Sequence, residues 1–157
     1  MANKLGVQVT QVGGVIIWGN HSATQFPDLA NAKVDGKKVE IDQDFYQKEY
    51  IPKIQKRGAQ IIEVSGRSSV GSAANAICNH IRDIFLGSGD KPVSMGVLSK
   101  GAYGVEEGLV FSVPCKGLGN GKYEIIQDWE LSDLTKEWIT KNQTELKGEF
   151  ETAQEFI

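Results

Sequence analysis

Val15-Ile16-Ile17-Trp18-Gly19-Asn20-His21-Ser22 is the stretch around which the chain is organised. Apolar residues 15–18 run into Gly19-Asn20, the pattern of a short buried strand that ends in a turn, so the next side chain is presented at a strand's end. That side chain is His21. Imidazole titrates near neutrality and is the group most often used to move a proton in an enzymatic step. A histidine after a strand also serves as a structural hydrogen-bonder, so on these residues alone both readings stay open. Asp28 is the nearest acid in sequence that could partner it.

The chain has 157 residues, of which 40% are hydrophobic and 24% charged, a composition suited to one soluble globular domain with a real core over residues 1–157. A formal charge of −3 and a pI near 5.4, with no basic run to track phosphates, argue against nucleic acid. Cys78 and Cys115 lack metal-ligand spacing and read as reduced, structural thiols, so no metal site is expected. No apolar run approaches the ~20 residues of a membrane span and no signal peptide is recognised, so the expected setting is cytoplasmic and away from membranes.

Outward from the first strand, residues 1–14 read as a helix remnant or loop, and residues 26–41 as loop and hairpin, with Asp35-Gly36 as the turn pair. Asp42 is an N-cap for a helix over 43–57 that Pro52 should kink or divide and Gly58 should stop. Residues 59–64, with Ile61 and Ile62, read as a short strand. Residues 65–72 form a small polar loop. A helix over 72–86 aligns Ala73, Ile77, Ile81, Ile84 and Phe85 on one stripe, either packed inside the domain or meeting a second subunit. Segments 93–98, 109–114 and 123–127 read as strands. The Gly-x-Gly-x-Gly of residues 117–121 joins two of them and is a hairpin loop, because a phosphate cradle needs a helix to follow. Ser132 or Asp133 caps a last helix over 134–156, with Leu134, Trp138, Leu146, Phe150, Ala153 and Ile157 on its apolar face. Hairpins mixed with helices, without regular strand-helix alternation, give an α+β class.

Residues 15–28 together, from Val15 through His21-Ser22-Ala23-Thr24-Gln25-Phe26-Pro27-Asp28, resemble the active-site histidine segment of NAD-dependent malate dehydrogenases of the cytosolic type. Gln55-Lys56-Arg57-Gly58-Ala59, Ser68-Ser69, Ser72-Ala73-Ala74, Ala76-Ile77-Cys78 and Val93-Ser94-Met95-Gly96-Val97 resemble the same lactate/malate dehydrogenase family in the same order. The resemblance implies the family's C-terminal, substrate-binding half, an α+β domain with antiparallel sheets and long helices. It also implies that His21 takes the hydroxyl proton of malate and returns it to oxaloacetate, and that Ser68 and Ser69 face substrate. Arg67, in the same loop, is a candidate for a substrate carboxylate, since a guanidinium fork binds carboxylates bidentately. Arg57, Arg67 and Arg82 match none of the family's substrate arginines, and the family's catalytic aspartate has no counterpart here. NAD is expected on an N-terminal Rossmann domain outside this chain, with no cofactor bound by these residues alone. Malate or oxaloacetate and a second copy of the chain are the expected partners, and the isolated chain is expected to be inactive. A free-standing anion-binding or dimerisation module derived from that domain is the alternative.

Overall fold

Tertiary structure was obtained as a computed structural model that describes residues 1–156. After a short helix, α1 (Ala2–Leu5), the chain builds its β-structure in three small antiparallel sheets. β1 (Val12–Gly13) pairs with β4 (Lys33–Val34), which pairs with β5 (Lys37–Lys38). Asp35 and Gly36 join the last two at φ 49° and 78°, the double left-handed turn that the Asp-Gly pair favours.

β2 (Ile16–Trp18) and β3 (Phe26–Asp28) form a ribbon in register Ile16↔Asp28, Ile17↔Pro27 and Trp18↔Phe26. The third sheet is β6 (Val93–Leu98), β7 (Val110–Gly119) and β8 (Lys122–Ile125), with β7 central. Met95 and Val97 of β6, with Phe111, Val113 and Cys115 of β7, point into the core against Ile16, Trp18 and Phe26. The expected α+β class is the observed one.

The helix expected over 43–57 is divided. Asp42 caps its start, accepting from the amides of Asp44 and Phe45 at 2.9 and 3.3 Å. The chain then runs through α2 (Gln43–Phe45), a π-helical turn (Tyr46–Tyr50) and α3 (Ile51–Gln55), whose first turn holds Pro52. A proline is tolerated there because first-turn amides need no helical partner.

Two expectations are corrected. Residues 59–64 are helical, within α4 (Arg57–Ser65); the stop is Gly66 at φ 72°, and Gly58 lies inside the helix. Ile61 is only half-buried and Ile62 and Val64 are exposed, so this segment lacks the buried face a core strand needs. In α5 (Gly71–Leu86) the stripe is not core: Ile77, Ile81 and Phe85 are exposed, and Ile84 alone of the apolar stripe packs against the core from one edge. α5 docks through its C-terminal end, where a Cβ on Gly117 would lie 2.0 Å from the Asp83 carbonyl oxygen. Asn120 N–H donates to the Phe85 carbonyl at 2.9 Å. The glycines of 117–121 thus serve close helix approach and a hairpin end.

α6 (Asp133–Gln154) begins at Ser132, whose hydroxyl accepts from Thr135 N–H at 3.0 Å. Its buried face is Thr135, Ile139 and Asn142, flanked by half-buried Leu134, Trp138 and Leu146; Phe150 and Ala153 are exposed, and Ile157 lies outside the described residues. Trp138 stacks on Phe26 with centroids 5.6 Å apart and rings 7° from parallel. Among the described residues no helix is long and apolar enough to cross a membrane. Both cysteines are free; burial pushes the Cys115 thiol up to about 11, which suits packing and not nucleophilic chemistry.

Asp28 is turned into the core, 1% exposed, and accepts from the Trp18 indole N–H at 2.9 Å and the Ala30 amide at 2.8 Å. Burial raises its carboxyl pKa above 3.8, opposed by those hydrogen bonds. The folded state therefore keeps this proton to higher pH than the unfolded chain. Stability from neutral Asp28 is full below the unfolded pKa and is lost as pH rises through the folded one. Asp28→Asn, which cannot ionise, should gain stability relative to the wild type as pH rises through that window, read from urea titrations started at pH 3.8. Parallel pH profiles for the two proteins would refute the linkage. Asp28→Ala orphans both donors and should cost about 1–3 kcal/mol for each.

Candidate active site

His21 follows β2 on a bend and is exposed, at the mouth of a cleft of about 340 Å³. Ile17, Asn20 and Gln25 line it from the histidine's own segment, and Gly96, Val110 and Ser112 from the sheet. Strand β2 reaches this place because both neighbours hold its backbone. Ile17 N–H donates to Ser94 Oγ at 2.9 Å and its carbonyl accepts from Ser112 Oγ at 2.6 Å. Gly19 then exchanges two backbone hydrogen bonds with Ser112, at 3.1 and 3.0 Å.

The segment 19–25 is fastened on its other side by α6. Asn142, wholly buried, accepts from the Asn20 amide at 2.8 Å and donates to the carbonyls of Thr24 and Trp138 at 2.7 and 2.9 Å. Glu145 accepts from the hydroxyls of Ser22, at 2.6 Å, and Thr24. Its own desolvation works against the charge, but hydrogen bonds from Ser22, Thr24 and Asn20 outweigh it and hold the carboxyl below its ordinary range. Asn20 Nδ2 donates to Glu149 at 2.9 Å, and Gln55 Nε2 donates to the Gln25 carbonyl at 3.1 Å.

Asp28 therefore does not serve His21, being engaged by Trp18 and Ala30, and the ion pairs among the described residues leave His21 out. An exposed imidazole beside a small polar-rimmed cleft can accept or deliver a proton. No guanidinium lines this cleft.

Arg67, Ser68 and Ser69 sit apart from it, in the link between α4 and α5. Ser65 Oγ donates to the Arg67 carbonyl at 2.7 Å, and the hydroxyls of Ser69 and Ser72 are hydrogen-bonded. Arg57 lines a different cavity, with Lys53, Tyr50 and Phe45. No His, Cys, Asp and Glu grouping suited to a metal occurs among the described residues. Sequence reasoning missed Asn142 and Glu145. The available signal was a polar Asn142 midway between Trp138 and Leu146, at the i, i+4 spacing of the apolar stripe.

A family profile described as the lactate/malate dehydrogenase, alpha/beta C-terminal domain matches residues 1–157. The chain is 48% identical over 151 residues to a malate dehydrogenase of Rubrobacter xylanophilus, covering 95% of this chain and 46% of that protein. Its structure matches the crystal structure of malate dehydrogenase from Naegleria fowleri with TM-score 0.92 and 36% identity, over 99% of this chain and 48% of the other. It matches a Trichomonas vaginalis lactate dehydrogenase, solved in complex with NADH and oxamate, with TM-score 0.90 and 30% identity, over 98% and 49% of the two chains. The chain thus spans about half the length of the relatives it matches. The profile match over the whole chain and the 0.92 TM-score at 36% identity show that the chain belongs to the lactate/malate dehydrogenase family as its alpha/beta C-terminal domain.

Proposed function

We propose that this chain is the substrate-side half of an NAD-dependent malate dehydrogenase, with His21 as the proton acceptor in malate oxidation and, as imidazolium, the proton donor in oxaloacetate reduction. The observation that carries the reading is an exposed imidazole, presented by a clamped strand end at the mouth of a cleft, in a chain 48% identical to a malate dehydrogenase.

Loss of a hydroxyl proton from malate needs a base within hydrogen-bond reach, and His21 is the titratable group lining this cleft. Asn20, Gln25 and Ser112 supply neutral polar atoms at its wall. Ser68, Ser69 and Arg67 are proposed to meet a substrate carboxylate from the α4–α5 link, where Arg67 makes no ion pair among the described residues. NAD accepts the hydride when it is bound, but these residues do not fit a dinucleotide cradle. The glycine-rich stretch 117–121 ends an antiparallel hairpin and opens no helix. In this proposal the nucleotide belongs to the half of the relatives that this chain does not cover.

The exposed face of α5 supports a homodimer. Ile77, Ile81 and Phe85 are 59%, 50% and 58% exposed, beside the small residues Ala73 and Ala74 that let a second backbone approach. A cytoplasmic setting is part of the same proposal and rests on the resemblance of residues 15–28 to the cytosolic type of malate dehydrogenase.

Three outcomes are expected. His21→Gln in the complete enzyme should lower kcat by roughly 10² to 10⁴ while NADH affinity, read by fluorescence titration, stays unchanged, because a proton-transfer group is lost and no nucleotide contact is. Undiminished turnover would leave His21 a structural residue. The chain by itself should not oxidise NADH with oxaloacetate above a His21→Ala control, since even ~1 Å of misplacement costs on the order of a hundredfold. Finally, the chain should self-associate in sedimentation runs, and Ile77→Asp with Ile81→Asp should drive it to monomer; a wild-type monomer at high concentration would refute the α5 contact.

A further inference from the structure

The segment that bears His21 has little internal structure to define it. Among its own atoms the hydrogen bonds are those of Thr24 N–H with the Ser22 hydroxyl oxygen at 3.0 Å and of Gln25 N–H with the Ser22 carbonyl at 3.2 Å. Its remaining anchors come from distant sequence, and the most buried of them is one side chain. Asn142 accepts from the Asn20 amide on Oδ1 and gives both hydrogens of Nδ2 to carbonyls of this segment and of its own helix, so its amide is engaged at both atoms in one orientation. These partners define that orientation: a flipped amide would face the Asn20 N–H and the Thr24 carbonyl with the wrong groups.

Gly19 shows how closely the two surfaces fit. A Cβ there would lie 2.0 Å from Asn142 Oδ1 and 2.2 Å from its Cγ, and φ at this residue is 91°. The glycine two positions before His21 is therefore the seat for the Asn142 amide as well as a turn residue. One helical turn on, Glu145 takes both hydroxyls of the segment on a single oxygen, Oε2. Asn142 fixes the backbone on each side of His21, at Asn20 and Thr24, and Glu145 fixes the side chains at 22 and 24.

We infer that Asn142 and Glu145 of α6 are positioning residues that set where the His21 imidazole stands relative to the cleft. Neither lines the cleft itself; they act through residues 19–24, of which Gly19 and Asn20 form part of its wall. The inference rests on the assignment of His21 as the proton-transfer group. It adds that the base is oriented by the last helix of the chain, through neutral hydrogen bonds to Asn142 and a carboxylate that binds hydroxyls.

Two measurements test it. In the 157-residue chain, Asn142→Ala should speed amide exchange at Asn20 at least tenfold and replace the single set of His21 ring signals in 15N spectra by shifted or broadened ones. Amides of the β6–β7 ladder, such as Val97 and Val113, should stay within twofold of wild type. Unchanged Asn20 exchange and unchanged ring signals would overturn the inference. If Asn142→Ala does not fold, Glu145→Ala carries the same test at the half-exposed rim of the segment, read on the His21 ring signals.

In the complete enzyme, Glu145→Ala should lower kcat for malate about tenfold with KM and NADH affinity within twofold. Glu145→Gln should restore most of it, because one carbonyl oxygen can accept both hydroxyls. A kcat that stays at the wild-type value in both Asn142→Ala and Glu145→Ala, alongside an inactive His21→Gln, would overturn the inference and leave the proposed function standing. A wild-type enzyme inactive on malate would overturn the proposed function instead, and the exchange and ring-signal results would then decide alone whether α6 sets the His21 segment.

Discussion

Ile17 lies between two fully buried residues, Ile16 and Trp18, and its backbone amide and carbonyl have to be satisfied away from water. Its partner across the ribbon is Pro27, which has no N–H to give. Ser94 and Ser112 supply what the ladder lacks, one hydroxyl accepting from Ile17 N–H and the other donating to its carbonyl. That arrangement explains several features together. Proline is admissible in β3 because Ile17 directs its polar groups the other way, and the β2–β3 ribbon is locked to the β6–β7 sheet without a continuous strand pairing. The ladder resumes at Gly19, where Ser112 pairs through its backbone. The chain must then turn at the sheet's edge, and His21 emerges there.

Trp18 and Asp28 complete the constraint at the ribbon's two ends. The indole fills the core, edge-on to Tyr103 at 4.9 Å, and its N–H needs an acceptor; Asp28 provides one, at the cost of burying a carboxyl. Leu29 N–H and the Pro27 carbonyl are both bonded to the Tyr46 hydroxyl, which burial and the nearby Asp28 charge hold well above the usual phenol range. Asp28 and the Tyr46 hydroxyl are thus polar groups of the core that are tied to the ribbon. Phe26 of the ribbon joins Phe111 of β7 and Ile139 of α6 in the same apolar cluster.

Features with local causes were legible in the sequence. Asp42 and Ser132 announce helix starts because a short oxygen-bearing side chain satisfies free first-turn amides, and Asp35-Gly36 announces a hairpin because both residues tolerate left-handed backbone. His21 was legible as a strand-end histidine, and the role proposed for it came from resemblance to a family. The α4 segment was misread because Ile61-Ile62 looks like a strand when exposure is unknown, whereas the helix continues past Gly58 to a glycine that can adopt φ 72°. For α5 the periodicity was right and its destination was not. A stripe of Ile77, Ile81 and Phe85 states that something covers this face, but periodicity cannot say whether the cover lies in the same domain.

Asn142 marks the deeper limit of local reading. Its spacing with Trp138 and Leu146 puts it on the buried face of α6, where an amide is admissible only if all its polar atoms find partners. Those partners are Asn20, Thr24 and Gly19's open flank, 118 to 123 residues away in sequence from the α6 side chains they meet. Loop-closure entropy makes contacts of such separation available only once the intervening chain has been organised. The short segment 19–25 reads clearly as a motif, yet its geometry is not its own. It is completed by a helix at the opposite end of the chain, so a substitution in α6 can displace the histidine while leaving the motif itself intact.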